Sequence, residues 1–324
     1  MSRKTLIAAV AALAAFAAQA AHADDVVRLG NLKFAHYGAI SYMKEIGPKY
    51  GLKIEERVFA KGIDILPAIV AGEIDAAASA VDAAIAGRAS GVPIYAVAGF
   101  AKGGARIVAK PDAGVKSVAD LKGKKVGVAR GGAQELVLLA ELAKHGLSWS
   151  DRGGKDVQIV YMAFADLNQA LAAGSIDAMS QSEPQSSQAI NKGFGVEVIK
   201  PYDTELGEPV RSLVVTEDFY KKKPEVAERF IRCFVEATAT FLSKPELAEK
   251  YVRETVFKGQ ITSQDYQDAI GNSPFSYDIT VEHVQVTTDM MQKYGVGRMA
   301  NPPKAADWVR LDLLAKAKAA VQVN

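Results

Sequence analysis

The sequence predicts an α/β protein of two similar lobes, each a mostly parallel sheet flanked by helices. Three observations lead there. The segment Asp64–Ala76, DILPAIVAGEIDA, recurs as Asp166–Ala178, DLNQALAAGSIDA, with seven identities at a constant offset of 102. Each copy reads as a helix, a glycine stop and a strand, which is half of a right-handed crossover in a parallel sheet. Upstream, a strand–loop–helix also occurs twice. The repeating unit is therefore about a hundred residues long, too large for the units of roughly 20–50 residues that build a solenoid.

The chain is expected to begin with a removable leader. Arg3 and Lys4 precede an apolar run from Leu6 to Ala18, and Ala21-His22-Ala23 supplies a small-residue cleavage site. That is the three-part pattern of a secretory signal, placed at residues 1–23. The run is about thirteen residues, short of the roughly 20 that cross a bilayer. The expected product is free in the periplasm and starts near Asp24.

Val26–Leu29 is a short strand broken at Gly30, followed by a helix in which Ile40, Met43 and Ile46 share a face. Leu52–Phe59 is a second strand. In the first copy of the repeat Ile65, Ile69 and Val70 form the apolar stripe, Gly72 stops the helix and Ile74–Ala78 restarts as a strand. Arg106–Pro111 reads as an isolated strand. Then come strand Lys125–Ala129, the turn Arg130-Gly131-Gly132, and a helix from Ala133 to His145 ended by Gly146. The second copy follows as strand Val157–Tyr161, helix Asp166–Ala173, Gly174 and strand Ile176–Ser180. Val210–Thr216 is another isolated strand. The two isolated strands are expected to be hinge crossings, giving lobe I as 24–108 with 215–324 and lobe II as 109–214.

Beyond Glu217 the pattern is helical. Glu225–Leu242 sets Phe230, Cys233, Phe234, Ala237 and Phe241 on one face, and further helices are expected at Pro245–Thr255, Val281–Tyr294 and Ala305–Ala319. This tail is expected to pack back on the first lobe.

Charge and motifs narrow the function. Without Arg3 and Lys4, 37 basic residues face 37 acidic ones, so no electrostatic footprint for nucleic acid is present. Cys233 is the only cysteine, which excludes an intramolecular disulfide and reads as a core thiol. His36, His145 and His283 lie in separate regions, and the sequence has no HExxH, CxxC or GxSxG and no carboxylates at metal-ligand spacing. Gly127–Gly132, GVARGG, follows a strand and opens a helix, but it fits neither a dinucleotide nor a P-loop pattern. No catalytic residue, metal or cofactor is expected.

A binding role is expected instead. Strands in open α/β sheets deliver their C-terminal ends to a ligand crevice. Those ends supply Phe34, His36 and Tyr37; Lys61 and Gly62; Ser79, Val81 and Asp82; Arg130, Gly131 and Gly132; and Ser180, Ser182 and Glu183. Arg211 joins from the second isolated strand. Arg130 with the Gly131 and Gly132 amides reads as an anion site at a helix N-terminus. Lys61 or Arg211 would add a second charge, Ser79 and Ser182 hydrogen bonds, and Phe34 or Tyr37 an apolar wall. Asp82 and Glu183 leave a cationic or zwitterionic ligand open.

The run ADLKGKKVGVARGG, the paired AGEIDA and AGSIDA, and SEPQ after the second copy resemble the exported solute-binding proteins of nitrate, taurine and aliphatic-sulfonate transporters. That group includes relatives binding thiamine-precursor pyrimidines. The resemblance covers essentially the whole mature chain. It implies a type II periplasmic-binding fold and a monomeric receptor that closes on a small-molecule ligand. It also implies delivery to an inner-membrane ABC permease with its ATPase. Lys61-Gly62, Ser79 to Asp82, Arg130 to Gly132 and Ser182-Glu183 fall where family members place ligand-contacting loops. Ser182 replaces a frequent aromatic, and Glu183-Pro184 stands for Asp-Pro, a departure that counts against a plain alkanesulfonate and leaves a polar or carboxylated ligand open. The alternatives are a small-molecule enzyme on the same fold, opposed by one cysteine and scattered histidines, and a ligand-presenting sensor.

Overall fold

The computed structural model describes residues 24–321, so the expected leader at 1–23 lies outside the described residues. Two sheets organise them. The first runs β2 (Leu52–Phe59), β1 (Asp25–Leu32), β3 (Ala76–Ala80), β11 (Val210–Thr216), β4 (Ile94–Lys102). The second runs β10 (Val196–Ile199), β5 (Ala105–Ala109), β9 (Ala178–Ser182), β6 (Lys125–Val128), β8 (Val157–Tyr161), β7 (Trp149–Ser150). β1 is parallel to β2 and β3, as β6 is to β8 and β9. β11 lies antiparallel to β3, as β5 does to β9. Both sheets are α/β, parallel through the repeated unit and mixed where the chain crosses over.

The repeated Ile-Asp-Ala has a physical task. Asp75 N–H donates to Arg28 O at 2.9 Å, and Arg28 N–H donates back to Asp75 Oδ2 at 3.0 Å. In the second lobe Asp177 N–H donates to Lys125 O at 2.9 Å and Lys125 N–H to Asp177 Oδ2 at 2.8 Å. Each aspartate thus staples the N-terminal end of one strand to its parallel neighbour and fixes the register Leu29–Ala76 and Val126–Ala178. The opposite, C-terminal strand ends are left facing the crevice.

Neither isolated strand is isolated. β5 pairs with β9 and β10 inside the second sheet, and β11 sits between β3 and β4 in the first. The expected boundaries at 108/109 and 214/215 fall inside these strands. The sheets are joined instead by Gly103-Gly104 and by residues 200–209. Gly103 and Gly104 take left-handed φ of 67° and 73°. A Cβ on Gly103 would lie 2.4 Å from Asn272 O, so only glycine fits this turn.

The tail packs on the first sheet through the helix Pro224–Ser243, whose face buries Phe230, Cys233, Phe234, Ala237 and Phe241 as the periodicity predicts. Cys233 is a buried core thiol, and burial pushes it up to about 12. Two tail helices also reach the second lobe: Val281–Tyr294 packs on Ala133–Lys144, and Ser263–Asn272 on Gln185–Asn191. The expected helix Ala305–Ala319 is interrupted. Trp308 is fully buried and the chain runs extended there, with Ala96 N–H donating to Trp308 O and Arg310 N–H to Ala96 O. The helix proper is Asp312–Val321.

Candidate functional site

Strand ends from both sheets meet around two joined chambers. The inner one is small, about 30 Å³, and collects Phe34, His36, Tyr37, Lys61, Gly62, Asp82, Arg130, Gly131, Gly132, Ser182 and Arg211 from the predicted set. The outer one is about 460 Å³ and shares Phe34, Lys61, Arg130 and Phe164 with the inner. Four predicted residues line neither chamber. Ser79 turns its hydroxyl to Ala80 O at 3.2 Å, and Val81 is core. Ser180 donates to Gln134 O at 2.8 Å. Glu183 is fully buried against Arg106 at 2.8 Å and accepts from Ser187 Oγ at 2.7 Å and Asn272 Nδ2 at 2.9 Å. Burial pushes the Glu183 carboxyl up, while Arg106, Ser187 and Asn272 act against that. Glu183 is fully occupied within the protein.

The expected anion cradle needs correction. Gly131 N–H donates to Glu135 Oε2 at 2.6 Å, so a carboxylate already holds the loop amide. Arg130 lies 3.6 Å over the Tyr161 ring and pairs with Asp151 at 3.0 Å on the exposed side. A carboxylate inside the turn repels an anionic ligand. The turn works as a helix cap and a wall.

The inner chamber has a different centre. Arg211, 2% exposed, donates Nε–H to His36 Nε2 at 3.2 Å and Nη2–H to Gly103 O at 2.9 Å. Its Nη1 has no hydrogen-bond partner among the described residues. Because His36 Nε2 accepts from Arg211, the imidazole proton belongs on Nδ1, which is also unpartnered. Burial, reinforced by Arg211, holds His36 well below its ordinary range, so the ring is neutral. Asp82 sits in the first turn of the helix Val81–Ala89, and neither of its buried oxygens has a partner. Burial pushes that carboxyl up to about 7, against the pull of Arg211. A donor and an acceptor thus line the same small chamber without forming an ion pair with each other.

The residues missed by sequence reasoning come from one strand end. Tyr161, Met162 and Phe164 follow β8 and line the outer chamber with Phe59. Applying the strand-end rule to Val157–Tyr161 would have found them. Gln134 also lines the inner chamber and donates to Gly104 O at 3.2 Å.

The chain's similarities agree with this architecture. A putative binding protein of Brucella abortus is 35% identical over 143 residues, covering 43% of this chain and 41% of the relative; the chain thus spans about two fifths of that relative's length. A putative ABC transporter periplasmic binding protein of Brachyspira hyodysenteriae is 26% identical over 229 residues, covering 65% of this chain and 64% of the relative. The crystal structure of the periplasmic aliphatic sulphonate binding protein from Escherichia coli superposes with a TM-score of 0.72 at 22% identity, covering 88% of this chain and 97% of that one. At that identity the likeness concerns the fold, which is the periplasmic-binding-protein fold. The family model described as NMT1-like matches residues 20–254, and the chain belongs to the NMT1-like family.

Proposed function

We propose that this protein is the periplasmic substrate-binding component of an ABC importer. It captures a small solute between its lobes and passes it to an inner-membrane permease with its ATPase. In this reading it acts as a monomer, without a cofactor and without catalysis. The lobes are 24–102 with 210–321, and 105–199, divided by sheet membership and hinged at Gly103-Gly104 and residues 200–209.

One observation carries the reading: Arg211 Nη1, His36 Nδ1 and both Asp82 oxygens are buried in one chamber without partners. Such groups cost stability unless something satisfies them. A ligand does so here. Its anionic or acceptor group, of sulfonate, nitrate or carboxylate type, meets Arg211 rather than Arg130, and a donor on the same head meets Asp82. His36 faces an arginine rather than a nucleophile or carboxylate, an arrangement suited to holding a ligand. The ligand contacts both lobes, so it binds the closed arrangement more tightly and shifts the hinge toward it.

The test is native mass spectrometry of protein purified from cells, followed by small-angle scattering with the molecule recovered. A retained small molecule that reduces the radius of gyration on rebinding is expected. A molecule that binds with no change in shape would sink the receptor reading.

A further inference from the structure

The inner chamber admits little more than a head group. At about 30 Å³ it is no more than a few waters in size, so it takes only the compact polar tip of a ligand. The outer chamber, about 460 Å³, lies within the range of ordinary ligand pockets. It adjoins the inner one, since Phe34, Lys61, Arg130 and Phe164 line both.

Its walls are flat, apolar and fixed. Phe34 from the first lobe meets Phe164 from the second edge-on, with centroids 5.5 Å apart. Tyr161 is held by its hydroxyl on Glu135 at 2.6 Å and backed by the Arg130 guanidinium at 3.6 Å. Across the crevice Phe59 is backed by Arg57 at 4.8 Å. Arginines against one face of each ring hold these rings in place without ligand. Rings placed along one chamber offer their remaining faces and edges to another planar apolar group, whose contacts are worth more than area alone.

We infer that the outer chamber is a second subsite, taking the flat apolar body of an aryl-bearing ligand whose compact head occupies the inner chamber. The inference rests on the receptor reading and narrows its substrate class. Inorganic anions and short aliphatic acids fill the inner chamber alone and leave Phe59, Tyr161, Met162 and Phe164 uncovered. A ring joined directly to a donor–acceptor head covers both.

The probes are benzamide and acetamide, which share a head and differ in the ring. Mature protein labelled at the methionine methyls reports through Met162, which lines the outer chamber. Benzamide should shift the Met162 signal at a half-saturating concentration at least about tenfold below that of acetamide. Phe164→Ala should remove the difference, and Phe59→Leu serves as a second variant should Phe164→Ala fail to fold. Equal half-saturation for the two probes, or no Met162 response to benzamide, overturns the subsite. Recovery from cells of a bound molecule without a ring overturns it too, and leaves the receptor reading intact. A ring-bearing molecule that binds without drawing the lobes together supports the subsite and overturns the receptor reading instead.

Discussion

Two arginines stand at the second position of two strands that lie beside the crossings, Arg106 in β5 and Arg211 in β11. Each lies near an acidic side chain that follows the adjacent antiparallel strand, Glu183 after β9 and Asp82 after β3. In the second lobe the pair has closed: Arg106 lies against Glu183 at 2.8 Å and Glu197 at 3.1 Å, and Ser187 and Asn272 donate to the Glu183 carboxylate, though Arg106 Nε itself lacks an aligned hydrogen bond. In the first lobe Arg211 bonds only to His36 and Gly103, and Asp82 has no side-chain partner, only the nearby amides of its own turn, Asp82 and Ala83. The same plan yields a structural ion pair in one lobe and an open pair in the other. What the comparison teaches is that the same pairing plan can be closed for structure or left open, and the proposed site is the open one.

The widest separation between the two pairs should appear in stability. Glu183→Gln leaves Arg106 with Glu197 as its one carboxylate, at 3.1 Å, and should cost about 1–3 kcal/mol in urea unfolding, with ligand affinity retained in the folded fraction. A variant that unfolds normally but loses ligand would reverse the roles of the two pairs. Arg211→Met should show the complementary result, weakening binding of the recovered ligand about 10- to 100-fold by titration calorimetry.

Asp82 sharpens the contrast through pH. Its folded value, about 7, lies above the ordinary 3.8, so the folded state holds a proton that the unfolded chain releases. The resulting penalty is absent below about pH 4, grows between there and pH 7, and is complete above, at roughly 4 kcal/mol. The charges facing it are Arg211 and Glu135, with Lys61 and neutral His36 in the same chamber. Asp82→Asn should therefore raise the melting midpoint at pH 8 by a few degrees, with the gain fading toward pH 4. A melting midpoint unchanged at pH 8 would mean that Asp82 is satisfied in solution. The smallest effect on the head group belongs to Arg130→Ala, which should change acetamide affinity less than about threefold, since Arg130 pairs with the exposed Asp151 and its contribution is to back Tyr161 in the outer chamber. A tenfold loss would restore the anion cradle.

Much of the scaffold was legible because it is local. The glycine stops, the apolar stripes and the paired Ile-Asp-Ala all act within a few residues of themselves or on the adjacent strand. β4 escaped notice because IYAVAGFAK is buried on both faces and shows no alternation. The crossings were misplaced because β5 and β11 look isolated in sequence and become interior only by pairing with strands distant in the chain. Arg211 and Asp82 were named among the candidates, yet their unfinished pairing was invisible, since Glu183 looked the same. The Arg130 error was avoidable. Glu135 stands at the third position of the helix it opens, where a glutamate commonly reaches back to the loop amides.

Arg211 has one more consequence. Its guanidinium holds His36 from a first-lobe loop, the carbonyl of Gly103 at the crossing, and a free Nη1 for the ligand's head. A molecule that reaches Nη1 pulls on the same group that steadies the crossing backbone, so docking and bending are mechanically coupled through one side chain. A molecule that lodges among the outer rings and stops short of Nη1 exerts no such pull. It would plug the mouth without altering the angle between the lobes. On the proposed reading, depth of insertion is what distinguishes a molecule that closes the lobes from one that only occupies the mouth.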